Sequence, residues 1–350
     1  MERKSLFSRI AKVSLPLLLG GAILYWMYRD FDFQHVRHVL FHEMSWTWMV
    51  LSLPFCILAQ TFRGWRWLLT LEPLDEHPRP RVSIYSIFVS YAVSLVVPRI
   101  GEFTRCGVLK RWDGVSFPKA LGTVVTERAV DSLIIVLVTG LAFLLEMSIF
   151  GTFFERTGVS FDTILRGFSW AGWLVTVVCA VAVVVLLHIL LRHLAIYNKV
   201  KATLHSVWEG IASLRHIRHV TLFILLSLGI WVCYFLHYYL TFFCFPFTEN
   251  LGVGCGLVTF LIGSIAVVVP TPNGAGPWHF AVKTMLILYG VADEQALYFV
   301  LIVHTVQTLL VVLMGVYAWV RLSFISRFSG VREINVEVRG MRCEVRDDHL

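Results

Sequence analysis

The chain has 350 residues, of which 57% are apolar and 15% charged, with a formal net charge of +7 and a mean hydropathy of +0.73. This composition excludes a large soluble domain and points to an all-α polytopic membrane protein, because several apolar runs reach the ~18–20 residues that cross a hydrocarbon core of about 30 Å. The Lys and Arg surplus lies in short stretches beside those runs, so it reads as membrane topology and not as a nucleic-acid surface.

Six full spans are expected, at about 11–28, 46–70, 119–146, 168–191, 220–245 and 294–321. The first follows Arg3, Lys4, Arg9 and Lys12. It reads as a retained span, since no small-residue cleavage site precedes Arg29. Two further apolar segments, 83–98 and 251–270, each end at Val-Val-Pro and turn back through short arms, 99–112 and 277–290. The first arm is too polar to face lipid. Helices break within a membrane only where the freed backbone faces protein or a wet cavity. Both segments are therefore expected to be re-entrant hairpins.

Charge asymmetry sets the expected sidedness. The N-terminus is basic, the 29–45 connection is mixed, and the next carries Arg63, Arg66, Arg79 and Arg81. The 147–167 connection is mixed, 192–219 is strongly basic, and 246–250 holds only Glu249. Arg321, Arg327 and Arg332 open the C-terminal segment. The expectation is a transmembrane domain over residues 1–325, both termini cytoplasmic, and a short cytoplasmic tail at 326–350 with no assigned role. The seven cysteines form no CxxC pair and no metal spacing. His35, His38 and His42 have helical spacing, but beyond Glu43 nothing completes a ligand set, so an interfacial helix is expected there. No metal and no cofactor are implied. Trp46, Trp48, Trp65 and Trp67 read as interfacial anchors.

An internal repeat runs through the chain. Val96-Val97-Pro98, Gly114-Val115, Ala120-Leu121 and the polar pair Arg128 and Asp131 make the first copy. Val268-Val269-Pro270, Gly290-Val291, Ala296-Leu297 and the pair His304 and Gln307 make the second. From the Gly-Val pair to the polar pair the copies align without gaps. By the charge argument the hairpins enter from opposite sides, so the repeat is inverted, a transporter architecture with its site near the midplane.

The span from Lys119 carries Glu127, Arg128 and Asp131 about 12–18 Å along its axis. That depth is near the centre of the hydrocarbon core, where each unpaired charge costs ~2.5–3.5 kcal/mol on the insertion scale. Glu127 and Asp131 share a face at i and i+4, so a cation is expected between them. Arg99 and Arg105 from the first hairpin are the candidates. A closed ion-pair network pinning hairpin to helix and a functional site fit this pattern equally, and the two are compatible. At the first tip, Pro98 is expected in the first turn of a new helix, whose free amides and dipole suit an anion. Gly101 permits a close backbone approach, and Glu102 is placed to pair with Arg105. The second tip runs Pro270-Thr271-Pro272-Asn273-Gly274-Ala275-Gly276-Pro277-Trp278-His279 and again starts a helix after glycine and proline. Lys283 reads as a snorkelling residue.

At these motifs the chain resembles the flippase-like transmembrane region of lysylphosphatidylglycerol synthases, the multiple peptide resistance factor family. The resemblance rests on Pro98-Arg99-Ile100-Gly101-Glu102-Phe103-Thr104-Arg105, on Thr126-Glu127-Arg128-Ala129-Val130-Asp131 and on Pro270 to Gly276. Asn273 departs from the family, which usually has glycine there, and His279 stands where an acid is common. The resemblance implies a domain of the bacterial cytoplasmic membrane that binds or moves a lipid with a charged headgroup. Full-length synthases add a soluble domain that transfers lysine from tRNA to phosphatidylglycerol, and nothing in this chain matches it.

The expected function is translocation of an anionic or zwitterionic phospholipid, with no enzyme activity. Arg99, Arg105 and Arg128 would hold phosphate, while Glu102, Glu127 and Asp131 would balance them or hold an amino group. Asn273, Gly274, Gly276 and His304 would contribute from the second tip. No GxxxxGK[ST] loop is present, so movement would be downhill or ion-coupled. Two other readings are an intramembrane lipid-phosphate enzyme, for which the tips offer Thr104, Thr271 and His279, and a non-transporting lipid-binding partner.

Overall fold

The computed structural model describes residues 33–145, 217–269 and 271–325, together with 21, 23–25, 27 and 28. The expected span at 168–191, most of the first span, Pro270 and the tail at 326–350 lie outside the described residues. Within them every regular element is helical. A short helix α1 (Phe33–His38) passes through a π turn (Val39–Glu43) into α2 (Trp46–Leu71), with a bend of 93° between the two arms. There follow α3 (Pro80–Ser94), α4 (Ile100–Asp113) and α5 (Phe117–Leu145). After the undescribed segment come α6 (Val220–Leu240), α7 (Val253–Ala266), α8 (Pro277–Leu288) and α9 (Asp293–Ser323). The α6 segment with its 3₁₀ extension (Val220–Cys244) and α9 are each long and apolar enough to cross a membrane.

Local chemistry fixes the breaks. Pro80 opens α3 in the first turn, where its missing N–H costs nothing. Gly114 closes α4 at φ 74°, a left-handed cap whose N–H bonds back to the Lys110 carbonyl. Gly290 holds the matching place after α8 at φ 91°. The next residues, Val115 and Val291, are buried, as are Ala120 and Ala296. These are the paired positions of the sequence repeat.

The helix lengths separate two kinds of element. At 1.5 Å per residue the 29-residue α5 and the 31-residue α9 run about 43 and 46 Å. The 15-residue α3 and 14-residue α4 run only about 22 and 21 Å, short of a bilayer core. They fold back on each other and are tied at their open end. There Arg79 Nε donates to Asp113 Oδ1 at 2.6 Å, and Arg79 Nη2 donates to the Trp112 carbonyl. At 14 and 12 residues, α7 and α8 are shorter still. They pack together at Gly263, where a side chain would strike Trp278.

Both long helices touch both hairpins. Ala120 and Val124 of α5 join the core of the first hairpin with Cys106 and Leu109, while Ala142 packs with Val258 and Leu261 of α7. In α9 the order is reversed. Phe299 and Val300 pack near Trp278 and Val282 of α8, whereas Met314 and Ala318 pack with Phe88 and Val89 of α3. Gly315 lets α9 come close to α3, since a Cβ there would collide with the Ala92 methyl.

Candidate functional site

The charged core forms between α2, α4 and α5. Arg63 and Arg66 lie one turn apart on α2, and both point at Asp131 of α5. Arg63 Nη1 donates to Oδ2 at 3.0 Å, and Arg66 Nη1 donates to Oδ1 at 2.7 Å and to Ser227 Oγ of α6. Arg66 Nε also lies 3.4 Å from Glu127 Oε1. The cation between the two carboxylates of α5 is therefore Arg66, where Arg99 or Arg105 was expected. Arg105 does reach Glu127, through Nη1 to Oε2 at 2.8 Å, and its Nη2 sits 2.9 Å from Glu102 Oε2. The Arg105 guanidinium lies 4.5 Å over the Trp67 ring, and Trp67 Nε1 donates to Thr123 Oγ1. Trp67 is thus fully buried behind the network and is not an interfacial anchor, while Trp46, Trp48 and Trp65 are exposed.

At the open edge, Arg128 Nε lies 3.1 Å from Glu102 Oε1, and Arg128 Nη1 is 3.9 Å from Asp131 Oδ2. Burial divides the cluster. Arg66, Glu127 and Arg105 have side-chain exposures of 0, 0 and 1%, whereas Glu102 reaches 28% and Arg128 42%. Four arginines face three carboxylates, so the network carries one positive charge in excess among the described residues. Arg63 is flanked by the rings of Tyr91 and Tyr234, whose hydroxyls are 3.2 Å apart. Arg63 and Arg66, expected in a connection, instead lie inside α2 and face the carboxylates. Their i, i+3 spacing at the end of an apolar run is the signal that places them on one inward face.

The first tip differs from its expected form. Pro98 lies in the turn before α4, and Arg99 is the cap residue at φ 63°. The first amides are partly used, Ile100 N–H by the Val97 carbonyl and Glu102 N–H by the Arg99 carbonyl. Gly101 packs so tightly on α3 that a Cβ would strike the Ser90 carbonyl. Arg99 turns away from the carboxylates, and its Nη2 donates to the Val268 carbonyl of the other tip at 2.7 Å.

At the second tip Asn273 occupies the left-handed region at φ 52°, beside Gly274 at 72° and Gly276 at 90°. A side chain on Gly274 would meet Val267. Asn273 Nδ2 donates to Thr308 Oγ1 at 2.7 Å, and His304 Nε2 donates to the Asn273 carbonyl at 3.1 Å. His304 therefore anchors this tip to α9, much as Arg105 anchors the first tip to α5. The His279 and His304 rings stand 4.4 Å apart at the polar end of an apolar cavity of about 870 Å³. Lys283 pairs with Asp293 at 2.9 Å. His38 pairs with Glu43, and no cluster of three metal-ligating side chains occurs among the described residues.

A family model described as the lysylphosphatidylglycerol synthase TM region matches residues 13–315. Searches of curated proteins and of solved structures return no significant match.

Proposed function

The chain belongs to the family described as the lysylphosphatidylglycerol synthase TM region, and from that membership we propose that it binds a phospholipid with a charged headgroup and carries it between leaflets. The observation that carries this reading is the one positive charge in excess of a buried network that opens at Arg128 and Glu102. A buried charge cluster that served only to lock helices would close on itself, because each unpaired ion is costly in a low-dielectric interior. Here Arg63, Arg66 and Arg105 face only Glu127 and Asp131 in the interior, and Arg105 shares the half-open Glu102 with Arg128. The network's excess positive charge is open to an anion at the Arg128 edge, where Arg128 is 42% exposed.

In this reading Arg128 takes the headgroup phosphate, a charge-assisted contact that guanidinium geometry favours. Glu102 accepts an amino group where the headgroup carries one. Arg99 holds the tips together and is released toward phosphate as they part. Glu127, Asp131 and Arg105 keep the charge balance, while Asn273, Gly274, Gly276 and His304 shape the opposite wall. The protein acts as a carrier and not as an enzyme. The short hairpins α3–α4 and α7–α8 are re-entrant halves of an inverted repeat, a reading supported by the way α5 and α9 cross both in opposite order. It sits in a bacterial cytoplasmic membrane with both termini inside.

The test is reconstitution into liposomes holding fluorescent phosphatidylglycerol or its lysyl derivative, with dithionite quenching of exposed label. Wild type accelerates the loss of protection, and Arg128→Ala, folded by size exclusion, slows it by about tenfold or more. Equal rates for wild type, Arg128→Ala and empty liposomes would overturn the proposal.

A further inference from the structure

The cavity at the second tip contains a hydrogen-bond donor that the charged network does not use. Its walls are apolar, formed by residues such as Leu24, Leu95, Leu301 and Val312. Its polar lining includes His279, His304, Asn273, Thr308, Thr305 and Tyr28, whose ring stands edge-on to His279. The backbone contacts assign a tautomer to each imidazole, the 3.1 Å contact of His304 Nε2 to the Asn273 carbonyl outweighing the 3.4 Å contact to Asn273 Nδ2. His304 Nε2 faces the Asn273 carbonyl and must carry a proton, leaving Nδ1 to accept from the Thr308 hydroxyl at 3.5 Å. That hydroxyl already accepts from Asn273 Nδ2, so the Asn273–Thr308–His304 triangle is complete. His279 is different. Its Nδ1 faces the backbone N–H of Gly276 at 3.4 Å and must be the acceptor. The proton is then on Nε2, and that N–H has no acceptor among the described residues. His279 is largely buried but lines the cavity, where that N–H is available to a ligand's acceptor.

A ligand for this site needs an apolar body and one neutral oxygen acceptor. An anion is disfavoured, because no cationic side chain lines the cavity among the described residues. We propose that this cavity is a subsite for the glycerol-ester region of a diacyl phospholipid, in which His279 Nε2–H donates to an acyl ester carbonyl. The volume of about 870 Å³ is at the upper end for small-molecule sites and suits acyl chains. The proposal rests on the lipid-binding reading and adds to it. Ether-linked and isoprenoid lipids, which lack that carbonyl, leave the donor unmatched.

The test uses the purified full chain and native mass spectrometry. It is titrated with phosphatidylglycerol carrying two ester-linked chains and with the 1,2-di-O-alkyl ether of equal chain length. Wild type binds the diester about threefold to tenfold more tightly. His279→Phe binds both lipids with the diether affinity. His279→Gln, which keeps an N–H near the Nε2 position, retains the preference. Equal affinity of wild type for the two lipids would overturn the ester subsite while leaving lipid binding intact. A preference that survives in His279→Phe, or vanishes in His279→Gln, overturns the assignment to Nε2. Failure of wild type to bind either lipid overturns both this proposal and the lipid-binding reading beneath it.

Discussion

Arg99 and Val268, 169 positions apart in sequence, are joined by a 2.7 Å hydrogen bond from the guanidinium Nη2 to the backbone carbonyl. That bond ties the tip of one helical hairpin to the tip of the other. Arg99 makes it from a left-handed backbone conformation at φ 63°, which a non-glycine residue adopts at a cost of about 1–2 kcal/mol.

Removing the side chain and relieving the strain should therefore nearly cancel. Arg99→Gly is expected to unfold within about 1 kcal/mol of wild type, whereas Arg99→Ala loses the bond, keeps the strain and falls by ~1–2 kcal/mol. Hydrogen exchange at residues 96–100 and 267–269 should accelerate in both. Unchanged exchange at the second tip would show that the bond does not hold the tips together.

Asp131 and Arg128 should separate structure from transport. Asp131→Asn weakens two buried arginine contacts at once and is expected to cost about 3–5 kcal/mol in detergent unfolding. Arg128→Ala, at a half-exposed position, should cost under about 1 kcal/mol. Comparable losses in the two variants would contradict the division of the network into a closed interior and an open edge.

Glu102 faces the same opening as Arg128. Glu102→Gln should slow movement of lysyl-phosphatidylglycerol by about fivefold relative to phosphatidylglycerol, because a charge-assisted contact to the ammonium is lost. Paired dithionite assays read this ratio directly. A ratio equal to that of wild type would remove Glu102 from headgroup selection.

Gly315 sets the distance between α9 and α3. Gly315→Ala would place its methyl on that of Ala92 and should cost about 1–3 kcal/mol. Ala92→Gly in the same chain should restore most of the loss, a coupling that a double-mutant cycle measures. Additive losses would mean that the helices relax independently.

Trp67 is tested the same way. Trp67→Phe gives up the bond to Thr123 and weakens the stack under Arg105, for an expected loss of about 1–2 kcal/mol. Thr123→Val should show a coupling of about 1 kcal/mol with it, read from unfolding midpoints.

The sequence by itself determined the material of the fold. Its apolar runs gave the helices at 46–71, 117–145, 220–240 and 293–323 close to their expected bounds, because an 18-residue apolar stretch has few other solutions. Val-Val-Pro marked where the first apolar run stops, since that constraint acts on neighbouring residues alone, while Gly114 and Gly290, paired in the repeat, take their left-handed conformation at helix ends in the structure. Glu127, Arg128 and Asp131 stood out for the same local reason, three charges within one apolar span. Their partners could not be read this way. Arg63 and Arg66 look like loop charges along the chain, and only the packing of α2 against α5 turns them inward onto Asp131. Trp67 looks like an interfacial anchor until Arg105 is stacked above it. Arg99, expected beside the carboxylates, reaches a carbonyl from the far hairpin instead. A charge is visible in sequence, but which opposite charge it meets depends on contacts between segments tens to hundreds of residues apart, and those exist only in the folded chain.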